Sequence, residues 1–220
     1  MKKFLLLTWL LASVGLCGAA TTNNFAKWEK EISAFERADK SNPPPQQAVL
    51  FAGSSGIRLW KSLAQDFPEQ RVINRGFGGS HIADSTHFAD RIIIPCAPRL
   101  IVLRAGGNDI NAGKSPEQVC SDFKEFVATV RAKLLQVKIV FIGQNPTPAR
   151  WKNREREQAA NTLIRDYITQ TPRLVYVDDW DKVLGADGQP RLELFVADKL
   201  HFTPAGYKIL TDLVRPTLQD

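Results

Sequence analysis

Histidine and cysteine are scarce in this 220-residue chain, with three of each. His81, His87 and His201 are scattered, and no His and Cys stand at the spacing of a zinc set, so neither a metal nor another cofactor is expected. After residue 20 there is no long apolar run. The only candidate, Phe4 to Leu16, falls short of the roughly 20 residues a spanning helix needs. No repeat of 20 to 50 residues is present, which excludes solenoids and propellers, and the only low-complexity tract is the short Pro43-Pro44-Pro45 run. Basic residues outnumber acidic ones by six, yet they are interleaved with acids, as in Arg154-Glu155-Arg156. No basic-and-aromatic array tracks a nucleic acid backbone, so no nucleic acid partner is expected. What remains is 44% hydrophobic and 24% charged, the composition of one globular domain with a sizeable core.

The first twenty residues read as a secretory signal. Lys2 and Lys3 precede the apolar run, and the small residues Gly18-Ala19-Ala20 follow it. Export to the periplasm or the exterior is therefore expected. Cys17 raises the alternative of a lipid anchor, but bulky Leu16 stands where such processing expects a small residue. Removing this segment leaves Cys96 and Cys120.

Residues 21–46 read as a helical arm and linker. Asn23 or Asn24 can cap a helix whose Phe25, Trp28, Ile32 and Phe35 share one face, ending before Pro43. From 47 to 220 the pattern alternates. Short apolar strands are expected at Ala48–Ala52, Arg71–Asn74, Leu100–Arg104, Lys138–Ile142 and Leu174–Val177. Helices are expected at Pro116–Leu135, near Arg154–Thr169 and at Pro204–Thr217, with Ser115 and Thr203 as the first and last caps. Apolar strands alternating with helices predict a parallel sheet covered on both faces. The fold class is α/β: a three-layer, flavodoxin-like domain with a central five-stranded parallel sheet and an added N-terminal helix. With strand order 2-1-3-4-5, the loops leaving the first three strands converge at the carboxyl edge of the sheet, where ligands bind. Cys96 would then precede the third strand, and Cys120 would lie in the helix after it. A strand rises roughly 20 Å over six residues, so both thiols are expected to be free.

Those three loops read Gly53-Ser54-Ser55-Gly56, Asn74-Arg75-Gly76-Phe77-Gly78-Gly79 and Ala105-Gly106-Gly107-Asn108-Asp109. Together they offer a hydroxyl, exposed backbone N–H groups and a side-chain amide, the company a serine nucleophile needs. A base is available in His201, with Asp198 three residues before it. His81 and His87 have no such partner and are assigned to structure. Asp178, Asp179 and Asp181, after the fifth strand, are assigned to turns and caps. Gly53 to Gly56 can also be read as a phosphate cradle, which leaves Asn108, Asp198 and His201 unexplained. The Gly-x-Ser-x-Gly elbow is absent, because Ile57 stands where its last glycine would be.

These blocks resemble the SGNH (GDSL-type) hydrolases, a family named for Ser, Gly, Asn and His in four separate blocks. Ser55, Gly79, Asn108 and the Asp198/His201 pair match them in order, and the likeness spans nearly the whole domain. Gly53-Ser54-Ser55 departs from the usual Gly-Asp-Ser, which leaves Ser54 as a second candidate nucleophile. The resemblance implies a serine esterase acting on O-acyl esters through an acyl-enzyme. Ser55, Asp198 and His201 would be catalytic, and the Ser55 and Gly79 N–H groups with the Asn108 amide would hold the oxyanion. Acetylated carbohydrates and short lipid esters are the implied substrates. A lysophospholipase or thioesterase activity, and a secreted binding module or inactive relative that keeps the cleft, are the alternatives. Trp151, after the fourth strand, is a candidate wall of the substrate cleft or a packing residue.

Overall fold

The computed structural model describes residues 24–219. The expected signal segment, with Cys17 and Asn23, lies outside them. Five parallel strands form one sheet in the order β2-β1-β3-β4-β5: β1 (Val49–Gly53), β2 (Val72–Gly76), β3 (Leu100–Arg104), β4 (Lys138–Ile142) and β5 (Leu174–Val177). The last three match the expected bounds. The first two begin one residue later than expected and run on into their glycines.

Alternate side chains build two cores because successive strand residues point to opposite faces. Leu50, Ala52, Ile101, Leu103, Ile139 and Phe141 pack on one side. Val49, Phe51, Val102, Val140 and Ile142 pack on the other, against Trp60 and Phe67. The first side is covered by α1 (Glu29–Ser41), α2 (Pro116–Arg131) and α3 (Arg154–Thr169), the second by α4 (Pro204–Val214). Ser115 caps α2 by accepting from the Gln118 N–H, and Thr203 caps α4 by accepting from the Gly206 N–H. Two helices are shorter than expected. The α2 helix stops at Arg131, and α4 gives way at Arg215 to a 3-10 turn containing Pro216, which has no N–H to continue the ladder. Among the described residues no helix is long and apolar enough to cross a membrane.

The N-terminal segment starts as a 3-10 turn, Phe25–Trp28, before becoming α1, and Asn24 makes no side-chain cap bond. The expected apolar face is real. Ile32 is fully buried in the first core, with Phe25, Trp28 and Phe35 packed around it. Arg91 clasps Glu29 and Glu36 of α1, and Arg75 clasps Asp39. The arm thus shares the core of the domain it precedes. Cys96 and Cys120 are both free and buried.

Candidate active site

Three strand ends are drawn together by backbone contacts. The Ser54 N–H donates to the Arg104 carbonyl at 3.1 Å, and the Phe77 N–H to the Gly53 carbonyl at 3.0 Å. Gly53 permits this approach: its φ is +129°, and a Cβ there would stand 2.1 Å from the Arg104 carbonyl oxygen. The chain then enters a four-residue helical turn, Ser55–Arg58, whose carbonyl caps come from Ser54.

The Ser55 hydroxyl lies 2.8 Å from His201 Nε2, and His201 Nδ1 lies 2.6 Å from Asp198 Oδ2. Asp198 Oδ1 also accepts from the Leu200 and His201 backbone N–H groups at 2.9 and 3.0 Å. The His201 backbone and ring together pull the Asp198 carboxyl down to about 2, so it stays ionised beside the imidazole. With Nδ1 held by a carboxylate, Nε2 is free to accept the Ser55 proton. The arrangement singles out Ser55, while Ser54 lends its backbone to the turn. Residues 146 positions apart along the chain meet here as hydroxyl, imidazole and carboxylate.

Opposite this row stands the Asn108 amide. Its Nδ2 donates to the Ser80 carbonyl at 3.0 Å, and its Oδ1 accepts from an Arg150 N–H at 3.0 Å. The neighbouring Asp109 is fully buried and grips the same loop by accepting from the Ile82 N–H at 3.3 Å. Its other oxygen is bonded by Lys114 at 2.9 Å. Gly79 has a φ of +82°, a left-handed conformation that glycine adopts freely. Trp28 of the arm lies beside that glycine. Neither the Ser55 nor the Gly79 N–H has an acceptor among the described residues. Ser55, Gly79 and Asn108, which carry the three expected donors, all line one groove.

Two spaces meet at this opening and share Ser55, Asn108, Arg150, Leu200 and His201. The inner one is about 90 Å³ and reaches back to Gln144, Asn145 and Arg104. The outer groove is about 300 Å³, between Gly79, Arg58 and Glu31.

Some expectations hold and others change. His81 has the structural role expected of it: it caps a helix after the Gly79 loop, its N–H donating to Asp84 at 2.7 Å. His87 stacks on Phe25 with ring centroids 3.8 Å apart. Asp178 makes the expected turn by accepting from the Trp180 N–H, but Asp179 is fully buried and pairs with Arg104 at 3.2 Å. The strand-end position of β5 carries that carboxylate into the interior. Trp151 lines neither space. It lies under the Arg154 guanidinium, 4.9 Å from ring centroid to carbon, and its neighbour Arg150 faces the cleft instead. Arg104 and Arg150 were missed. The signal for Arg104 was a charged residue closing an otherwise apolar strand; Arg150 stands in a loop with no pattern to single it out.

The sequence pattern of the GDSL-like lipase/acylhydrolase family matches residues 44–209. The chain belongs to that family. Among curated proteins it is 28% identical over 186 residues to the platelet-activating factor acetylhydrolase IB subunit alpha1 of Homo sapiens, covering 77% of this chain and 74% of that protein. Among solved structures, a Streptococcus pneumonia protein named for platelet activating factor superposes with a TM-score of 0.78 at 19% identity, over 89% of this chain and 94% of that one. A carbohydrate esterase family 3 protein from Talaromyces cellulolyticus superposes at 0.62 with 18% identity, over 77% and 95%. At such identities the two structures speak for the fold alone. This GDSL-like acylhydrolase carries that fold with its own residues at the cleft.

Proposed function

We propose that the protein is a serine esterase that removes short acyl groups from alcohols. The observation that carries this reading is the hydrogen-bonded row from Ser55 through His201 to Asp198 at the mouth of a small inner space. Ser55 Oγ attacks the ester carbonyl as His201 Nε2 takes its proton. The Ser55 and Gly79 N–H groups and the Asn108 amide stabilise the negative charge on the carbonyl oxygen. His201 returns the proton to the departing alcohol, and Asp198 steadies the imidazolium. Water then attacks the acyl carbon as His201 takes its proton, and that proton passes to Ser55 Oγ as the acid leaves.

The inner space supports the choice of acyl group. At about 90 Å³, against about 300 Å³ for the outer groove, it favours an acetyl or propionyl group over a fatty chain. The outer groove is left for the alcohol. The name of the acetylhydrolase relative agrees with a short acyl group. Export by residues 1–20 is part of the proposal and puts acylated glycans or lipids outside the cytoplasm within reach.

The test is hydrolysis of an aryl ester series from acetyl to octanoyl, with acetylated xylan alongside. Turnover should be highest for acetyl and fall by at least tenfold by butyryl. A preference for octanoyl would overturn the assignment of the inner space.

A further inference from the structure

Arg150 occupies a place that the four family blocks do not explain. It belongs to the stretch Pro148–Asn153, where its φ and ψ of −123° and 24° interrupt the 3-10 turn and re-aim its side chain. Its N–H is held by Thr147 Oγ1 at 3.2 Å, and the preceding Ala149 N–H donates to the Lys199 carbonyl at 3.0 Å. The loop that bears Arg150 is thus bonded to the turn that bears Asp198 and His201. From there the guanidinium reaches across the cleft to Asn108 Oδ1.

An amide is nearly symmetric in shape and opposite in chemistry at its two ends. If Asn108 turned over, a carbonyl would face the developing oxyanion and repel it. A guanidinium has donors only, so its bond at 3.0 Å identifies the carbonyl end of Asn108, just as the Ser80 carbonyl identifies the NH2 end. Two anchors at opposite ends stop rotation of the amide plane, and one N–H is left over. Donation from a cation to Oδ1 also draws electron density from the nitrogen, which makes the remaining N–H a stronger donor.

We propose that Arg150 is a positioning residue of the oxyanion site, acting through Asn108 to orient and polarise the amide N–H that receives the charge. This rests on the esterase reading above. Because Arg150 also borders both spaces, the competing role is direct contact with substrate, and the two roles separate in a double-mutant cycle. In Arg150→Met, kcat for an acetyl aryl ester should fall about 10- to 100-fold with KM changed less than threefold, a smaller loss than the roughly 10²–10³ expected of Asn108→Ala. In the Asn108→Ala background the same change should cost less than about threefold, since the residue it acts through is gone. Arg150→Lys keeps a donor and should lose about three- to tenfold; it replaces Arg150→Met should urea denaturation show the latter unfolded.

An unchanged kcat, or an equal loss with and without Asn108, would overturn the role of Arg150. A rise in KM alone would do the same by assigning Arg150 to substrate binding. Failure of the esterase reading has a separate signature: the unmodified protein hydrolyses no ester, and a fluorophosphonate leaves Ser55 unlabelled.

Discussion

At the scale of single residues, two adjacent serines differ by what faces them. Ser55 Oγ meets His201 Nε2 at 2.8 Å, whereas Ser54 supplies a backbone N–H to Arg104 and a carbonyl to Ile57 and Arg58. Ser55→Ala should lower acetyl-ester turnover by about 10⁴-fold or more, by analogy with serine hydrolases that lose their nucleophile. Ser54→Ala keeps the backbone bonds and should cost less than about tenfold. Steady-state kinetics on both variants checks the pair, and the reverse ranking would make Ser54 the nucleophile. Where the family usually carries an acid, Ser54 serves the turn through its backbone groups.

At the scale of elements, the N-terminal helix is bound by more than linkage. Ile32 is fully buried among sheet residues, and two arginine clasps hold the polar side of the helix. Ile32→Ala should destabilise the protein by about 2–4 kcal/mol, read from urea denaturation. A change under 0.5 kcal/mol would mean that the arm is peripheral to the cooperative unit. Its apolar stripe was legible from spacing, as were the strands, whose runs of Val, Ile, Leu and Phe declare burial on both faces. The ends of α2 and α4 were not, since a periodic pattern continues past the point where the last turn tightens. Ser55, Asn108, Asp198 and His201 were legible because each sits in a short block with its own spacing. Arg104, Asp179 and Arg150 were hidden. Their partners lie 41 to 75 positions away along the chain, and nothing local announces a contact made only by folding.

At the scale of the whole molecule, Glu157 connects stability to pH. It is 2% exposed, has an oxygen with no hydrogen-bond partner, and borders the inner space near Arg150. Burial raises its pKa from 4.5 to about 7. The folded protein therefore holds this proton through a range in which the unfolded chain has released it. Stability contributed by Glu157 must decline as pH rises from about 4.5 and level off above 7. The total is on the order of 3 kcal/mol, a shift of two to three pKa units at 1.36 kcal/mol each. Glu157→Gln removes the ionisation, so the difference in unfolding free energy between variant and parent should grow with pH across that interval. Denaturation at pH 5 and pH 8 measures it. A difference independent of pH would show that the carboxyl titrates normally.

The meeting of the two spaces at Ser55 has a kinetic consequence. In the proposed mechanism an acyl group fills the inner space, and the outer groove serves both the departing alcohol and the next nucleophile. A second alcohol that enters by this groove competes with water for the same intermediate. Added glycerol should divert acyl groups into glycerol esters in proportion to its concentration, a partition ratio readable by mass spectrometry. A product mixture of free acid alone, at molar glycerol, would imply a separate path for water. Hydrolysis by such a route is acyl transfer in which the usual acceptor happens to be the solvent.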